Sequence, residues 1–209
     1  MDTLRILLQG TTPMLMSNPA GMAKAAAPGN RKVIPTPEEE AEERAYRFPN
    51  GTLGFPAVGV RNSILGGAKG LRHGKLALGP VLSGAILPTD HRFPFIDEEG
   101  NPVSDYSIDT QRVVIGKAGI MRSRPLLEKG WLLTCTFNYN REVGVGPEVV
   151  ELATKNAGLI VGIGDYRIAK TGPYGGFAVK ELEVLDPDGE VTYFTSADSD
   201  RLLASAGVS

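Results

Sequence analysis

Residues 158–179 read GLIVGIGDYRIAKTGPYGGFAV, six glycines in twenty-two positions. Glycine is poor inside helices and strands, so the stretch marks a backbone that must bend sharply or be approached closely. On its N-terminal side, GPEVVELATKNAGLIVGIG has the marks of a helix. Pro147 suits the opening turn, Glu148 and Glu151 stand where the helix dipole favours acids, and Val149, Leu152, Ala153 and Ala157 share one face. On its C-terminal side, FAVKELEVL (177–185) alternates as a half-buried strand, and DPDG turns it back into EVTYF. Two uses of the glycines follow. Bare backbone can present N–H groups to phosphate oxygens as a nest, with Arg167 and Lys170 adding charge. Alternatively, Gly162 and Gly164 close the helix and residues 172–176 make a bulged strand entry. A dinucleotide fingerprint is excluded, because that motif runs strand, glycines, helix, and here the order is reversed.

Working outward, WLLTCTFNYN (131–140) is the clearest strand, apolar, aromatic and threonine-rich. TLRILLQG begins with a short strand over 4–8. FPAVGVRNSILGGAKGLR (55–72) predicts a helix, with Pro56 in its first turn and Val60, Ile64, Ala68 and Leu71 in helical steps. GPVLSGAILP (79–88) and FPFI (93–96) read as strand pieces, and 110–127 as β-branched runs broken by glycine. Residues 17–50 hold no periodic core face beyond a possible short helix in PEEEAEERAY. The long elements run strand, helix, strand, strand, helix, strand. This predicts an α+β, ferredoxin-like (split βαβ) fold with a long insertion after the first strand and a further insertion between strands two and three. One domain over 1–188 is expected, with a flexible insertion at about 17–50 and a C-terminal strand and tail at 189–209.

The chain of 209 residues is 42% hydrophobic and 22% charged, ordinary for a folded domain. It holds one cysteine and two histidines, too few for a disulfide framework or a zinc site, so neither metal nor cofactor is expected. No run is long enough for a membrane span and no signal peptide is legible, which implies a cytoplasmic protein. Net charge is −2, yet the acids bunch at 38–43, 97–99 and the tail. Residues 55–96 and 104–180 together carry fifteen Lys or Arg against eight Asp or Glu. It is the local field that decides whether a polyanion is held.

Arg112, Lys117, Arg122 and Arg124 fall in thirteen residues without an acid. In an extended strand Arg122 and Arg124 point the same way, so they suit a phosphate backbone or a charged edge strand. Arg61, Lys69, Arg72 and Lys75 form a second basic run. Lys24, Arg31 and Lys32 sit on an Ala- and Gly-rich arm suited to a flexible polyanion. Tyr166, Tyr174 and Phe177, with Tyr46 and Phe48, are the aromatic candidates for base stacking, although Phe177, Trp131, Phe137 and Tyr139 also fit a core. Asp165 and Arg167 are expected to pair.

Four stretches, FPAVGVRNSILGGAK, IDTQRVVIGKAGIMRSRPL, EKGWLLTCTFNYN and GIGDYRIAKTGPYGGFAV, resemble in their order the RAMP superfamily, RNA-binding proteins of CRISPR effector complexes. The likeness is greatest to the backbone type, whose copies polymerise along a guide RNA. RSRP followed by a helix and GIGDYR also resembles uncharacterised bacteriophage proteins. The resemblance implies that 110–127 forms a β-hairpin. It also implies a non-catalytic chain that binds single-stranded RNA or DNA, associates with itself head to tail and joins other effector subunits. The nucleic-acid contacts so implied are Arg61, Lys69, Arg72, Arg112, Lys117, Arg122, Arg124, Gly162, Gly164, Arg167, Lys170, Gly175 and Gly176. Other readings are a phage assembly protein using the fold for protein contacts, or a metal-independent RNA endonuclease using His73 and His91. Against catalysis, residues 11–37 hold no Asp, Glu or His, so the catalytic aspartate that some family members carry in this loop is missing from its expected place.

Overall fold

The computed structural model describes residues 1–20, 35–73, 75–115, 118–194 and 201. In chain order the elements are β1 (Asp2–Gly10), β2 (Met14–Leu15), α1 (Pro37–Arg44), β3 (Gly54–Pro56), α2 (Ala57–Gly67), β4 (Arg72–His73) and β5 (Leu76–Ala77). Then come α3 (Leu78–Ala85), β6 (Ile86–Pro88), β7 (Arg92–Ile96), β8 (Ser107–Ile115), β9 (Ala118–Leu127), β10 (Leu132–Tyr139), α4 (Pro147–Ile160), β11 (Phe177–Leu185) and β12 (Val191–Tyr193). Lys24, Arg31 and Lys32 lie outside the described residues, as does Lys117. The protein is α+β, with four α-helices among the described residues.

The main sheet runs β12-β11-β1-β10-β7-β3, with β6 also paired to β10. Every paired neighbour is antiparallel. β1 sits near the centre because its alternation gives one wholly apolar face: Leu4, Ile6 and Leu8 are fully buried. On its other face Arg5 reaches across to Glu183 at 3.2 Å. α2 and α4 pack on each other so closely that a Cβ on Gly67 would stand 2.1 Å from the Ala153 carbonyl oxygen. Phe93, Phe95, Phe137, Tyr139 and Phe177 fill the core with them, as the sequence of the strands suggests.

A second, three-stranded sheet, β2-β9-β8, stands apart. It consists of the hairpin β8–β9, paired from Ser107↔Leu126 to Ile115↔Ala118, with β2 added along β9. α1 is braced by a capping box: Thr36 Oγ1 accepts the Glu39 N–H at 3.2 Å and the Glu39 carboxylate accepts the Thr36 N–H at 2.9 Å.

One element differs from expectation. Residues 79–88 read as a strand, but Leu78–Ala85 is helical and only Ile86–Pro88 extended. Pro80 occupies the first turn, where its missing N–H costs nothing, and Leu78, Leu82 and Ala85 bury one face. The helix expected over 55–72 also begins late, since Gly54–Pro56 is first drawn into pairing with β7.

The glycines of 158–179 are explained by packing. A Cβ on Gly158 would lie 1.8 Å from the Phe177 carbonyl oxygen, so α4 can lie on the start of β11 only without one. Gly175 has φ +74° and a Cβ there would meet the Ile163 oxygen at 1.7 Å. Gly175→Ala is therefore expected to cost about 1–3 kcal/mol, from left-handed strain and displaced backbone. The urea midpoint checks it; an unchanged midpoint would contradict this packing.

Candidate nucleic-acid interface

The loop 161–176 rests on residues 10–15 through backbone bonds. Gly175 N–H donates to the Pro13 carbonyl at 2.8 Å, and Thr11 N–H to the Gly176 carbonyl at 2.9 Å. Gly176 N–H donates to Thr12 Oγ1 at 2.9 Å, and Asp165 N–H to the Leu15 carbonyl at 2.8 Å. Gly162 has φ +71° and its N–H closes α4 on the Ala157 carbonyl at 2.8 Å. The amides of Gly162, Gly175 and Gly176 are thus spent inside the protein. This corrects the expectation of a phosphate nest, because an N–H satisfied by a carbonyl or hydroxyl is no longer offered to an anion.

The same anchoring carries Asp165 to the hairpin. Arg124, on β9, is only 4% exposed in its side chain. Its Nη1 donates to Asp165 Oδ2 at 3.1 Å and its Nη2 to Asp109 Oδ2 at 3.3 Å. Asp165 thus pairs with Arg124, correcting the expected Arg167 pairing: the residue two places along the loop is not the one the fold brings near. Gln111 Nε2 donates to the Tyr174 hydroxyl at 2.8 Å, a second tie between hairpin and loop.

Below them, α1 supplies Glu40, whose Oε2 accepts the Ser123 N–H at 2.8 Å and whose Oε1 accepts from Arg44 at 3.2 Å. Arg122 Nε stands 3.5 Å from the same Oε1. Burial, then the neighbouring Arg122 charge, pushes Arg44 below its ordinary pKa. Nearby, Tyr106 donates to Glu42 at 2.8 Å and its ring lies 5.3 Å from the Arg47 guanidinium carbon. Burial, then the Glu42 hydrogen bond, pushes Tyr106 up to about 12. The short helix legible in PEEEAEERAY is thus ordered, and its Glu40 and Glu42 brace the hairpin and the segment before it, a role the sequence did not indicate.

Between hairpin and loop lies a cleft of about 730 Å³ whose lining includes Gln111, Arg112, Arg122, Arg124, Asp165, Tyr166, Arg167 and Lys170. The structure therefore brings together five of the predicted cations. Arg122 and Arg124 are committed to carboxylates. Among the described residues, no carboxylate stands within ion-pair distance of Arg112, Arg167 or Lys170. Tyr166 is 45% exposed beside them in a left-handed conformation (φ +46°), its N–H held by its neighbour's Asp165 Oδ1 at 2.9 Å. Such a conformation in a non-glycine residue is sparsely populated and collects at functional sites. No protein-family model matches the chain, and no curated protein matches it.

The remaining predicted residues divide. Arg61 donates Nε to the Ile86 carbonyl at 2.9 Å and Nη2 to the Ser83 carbonyl. It ties the end of α3 to α2, so its guanidinium is turned to backbone. Lys69 and Arg72 are exposed but line neither this cleft nor the next. Gly162 and Gly164 border a second cleft of about 410 Å³, with Tyr46, Phe55, Asn62 and Ser63, which shares Asp165 and Arg167 with the first. Phe177, Trp131, Phe137 and Tyr139 are buried. His91 is exposed beside Phe48 and Arg92 on a separate cleft. Cys135 is enclosed and its thiol pushed well up by burial, which makes it unreactive. No helix among the described residues is long and apolar enough to cross a membrane.

Proposed function

We propose that this chain is a non-catalytic protein of RAMP type that holds single-stranded nucleic acid, RNA in the first instance, in the cleft between the hairpin β8–β9 and the loop 161–176. The carrying observation is that cleft: Arg112, Arg167 and Lys170 line it without carboxylate partners among the described residues, and Tyr166 stands exposed at its side. The fold reading has support in the strand order. Strands 177–185, 2–10, 132–139 and 92–96 are neighbours in that order, antiparallel throughout, with helices after the first and third in sequence. That order supports the reading of a split βαβ, ferredoxin-like domain carrying a hairpin between its second and third strands. The binding is dominated by charge and sugar-phosphate contact, since few aromatics are exposed there, and its affinity falls steeply with salt.

Repetition along a strand requires head-to-tail self-association in the cytoplasm, a heterologous contact that leaves an open filament to which other effector subunits can add. Val114 and Met121, 70% and 61% exposed on the hairpin, offer it apolar surface. The same two residues favour the second reading, a phage assembly protein that uses the hairpin for protein contacts alone. Titrating labelled single-stranded RNA and DNA at about 50 and 200 mM salt tests the proposal. Binding at the lower salt, weakened at least tenfold at the higher, is expected. Its absence at low salt, with nuclease treatment leaving the size-exclusion profile unchanged, would leave the protein-only reading.

A further inference from the structure

We infer that the 410 Å³ cleft between α2 and the loop 161–167 receives one unstacked guanine base of the bound strand, whose Watson–Crick edge donates to the Asp165 carboxylate. The inference rests on the nucleic-acid reading above and names what part of the strand is read. The two clefts share Asp165 and Arg167, so a strand whose phosphates follow Arg112, Arg167 and Lys170 passes the mouth of the smaller one. At this volume it accommodates a single nucleotide, at the small end of the about 300–1,000 Å³ range of ligand pockets. Tyr46 and Phe55, edge to face at 5.7 Å, contribute aromatic surface to its lining, which favours a flat π-face over a sugar.

The polar side of the lining decides which base. Asp165 is 41% exposed in its side chain. Its Oδ1 already accepts one N–H from Tyr166 at 2.9 Å and its Oδ2 one from Arg124 at 3.1 Å. Each oxygen of an ionised carboxylate accepts about two hydrogen bonds, so one site on each remains. Two adjacent acceptors match two adjacent donors. Among the common RNA bases only guanine has them, as N1–H and the 2-amino group. Adenine and cytosine place a ring acceptor beside their single amine, and uracil flanks its N–H with carbonyls. Asn62, on α2 in the same lining, brings an amide donor of the kind the guanine O6 accepts.

The test compares labelled twelve-residue oligouridine with the same oligomer carrying one central guanosine or one inosine, which lacks the 2-amino group, by fluorescence anisotropy at low salt. The guanosine oligomer is expected to bind about tenfold more tightly than oligouridine, with inosine between. Asp165→Asn, which turns one acceptor into a donor, brings the guanosine-to-uridine ratio to about one. Because that change also touches the Arg124 pair, Asn62→Leu is the second variant; it leaves that pair in place and lowers the same ratio. Equal affinity of the three oligomers for the unaltered protein removes the guanine inference and leaves strand binding standing. A ratio that survives both variants also overturns it. Failure of every oligomer to bind removes the nucleic-acid reading and this inference with it.

Discussion

Arg124→Glu is expected to lower stability by about 3–5 kcal/mol, the usual result of breaking one side of a buried ion pair. The substitution removes a guanidinium shared between Asp109 and Asp165 and adds a third carboxylate to two that lose their shared ion-pair partner. At this chain length the loss corresponds to a fall of roughly 10 °C in melting temperature. Because β9 also carries the pairing to β2 and the Ser123 bond to Glu40, the hairpin is expected to detach before the main sheet melts. Amide exchange would show this as early loss of protection over 107–127. Arg112→Glu, at an exposed position on the opposite strand, should change stability by no more than about 0.5 kcal/mol. Equal melting of the two variants would mean that Arg124 does not hold the hairpin to the loop. The sequence alone favours charge reversal at Arg122 and Arg124 as a binding test; burial of Arg124 makes that experiment a stability test instead.

The second large effect is on binding. Arg112→Glu, Arg167→Glu and Lys170→Glu together are expected to reduce affinity for single-stranded RNA at low salt by roughly 100-fold or more, while the protein melts within a degree or two of the unaltered chain. Each phosphate neutralised contributes about −0.7 to the slope of log K against log salt for a single strand, so losing three contacts flattens that slope by about 2. Both quantities come from one salt series by anisotropy. Lys69→Glu with Arg72→Glu, in the basic run that stands apart from the cleft, is the comparison. If that pair weakens binding as much as the triple change, the strand follows a different path over α2.

Much of the fold was legible because its signals are local. LLTCTFNY alternates over eight residues and is buried in step. The helix from Pro147 opens with proline and an acid, and closes at a left-handed glycine. α3 was misread because Leu, Gly, Pro and Ala in eight residues suppress helical periodicity, and it is packing on α2 and on the turn 141–143 that makes the helix favourable. The cationic cleft was legible as charge density, but its partition was not. Which arginine is free depends on acids that are distant in sequence: Glu40 lies eighty-two residues before Arg122 and Asp165 forty-one after Arg124. Arg61 misled for a similar reason, since a basic residue on a helix looks alike whether its head meets solvent or the carbonyls of a following helix. The glycines marked a closely packed turn but did not by themselves choose between its two uses, because close approach by the chain's own backbone asks for the same missing Cβ as close approach by a phosphate.

The seating of residues 161–176 on residues 10–15 also orders events during synthesis. While the chain is still being extended beyond residue 140, it already has the arginine-bearing ribbon but no opposite bank for it, and the central strand of the main sheet has one long edge unpaired. The bank is delivered by residues 161–176, which are made after the ribbon they face and close on residues 10–15. A newly made molecule therefore lacks the complete cleft until residues 161–176 have emerged, and a fragment ending before Phe177 leaves the long central strand uncovered on that edge.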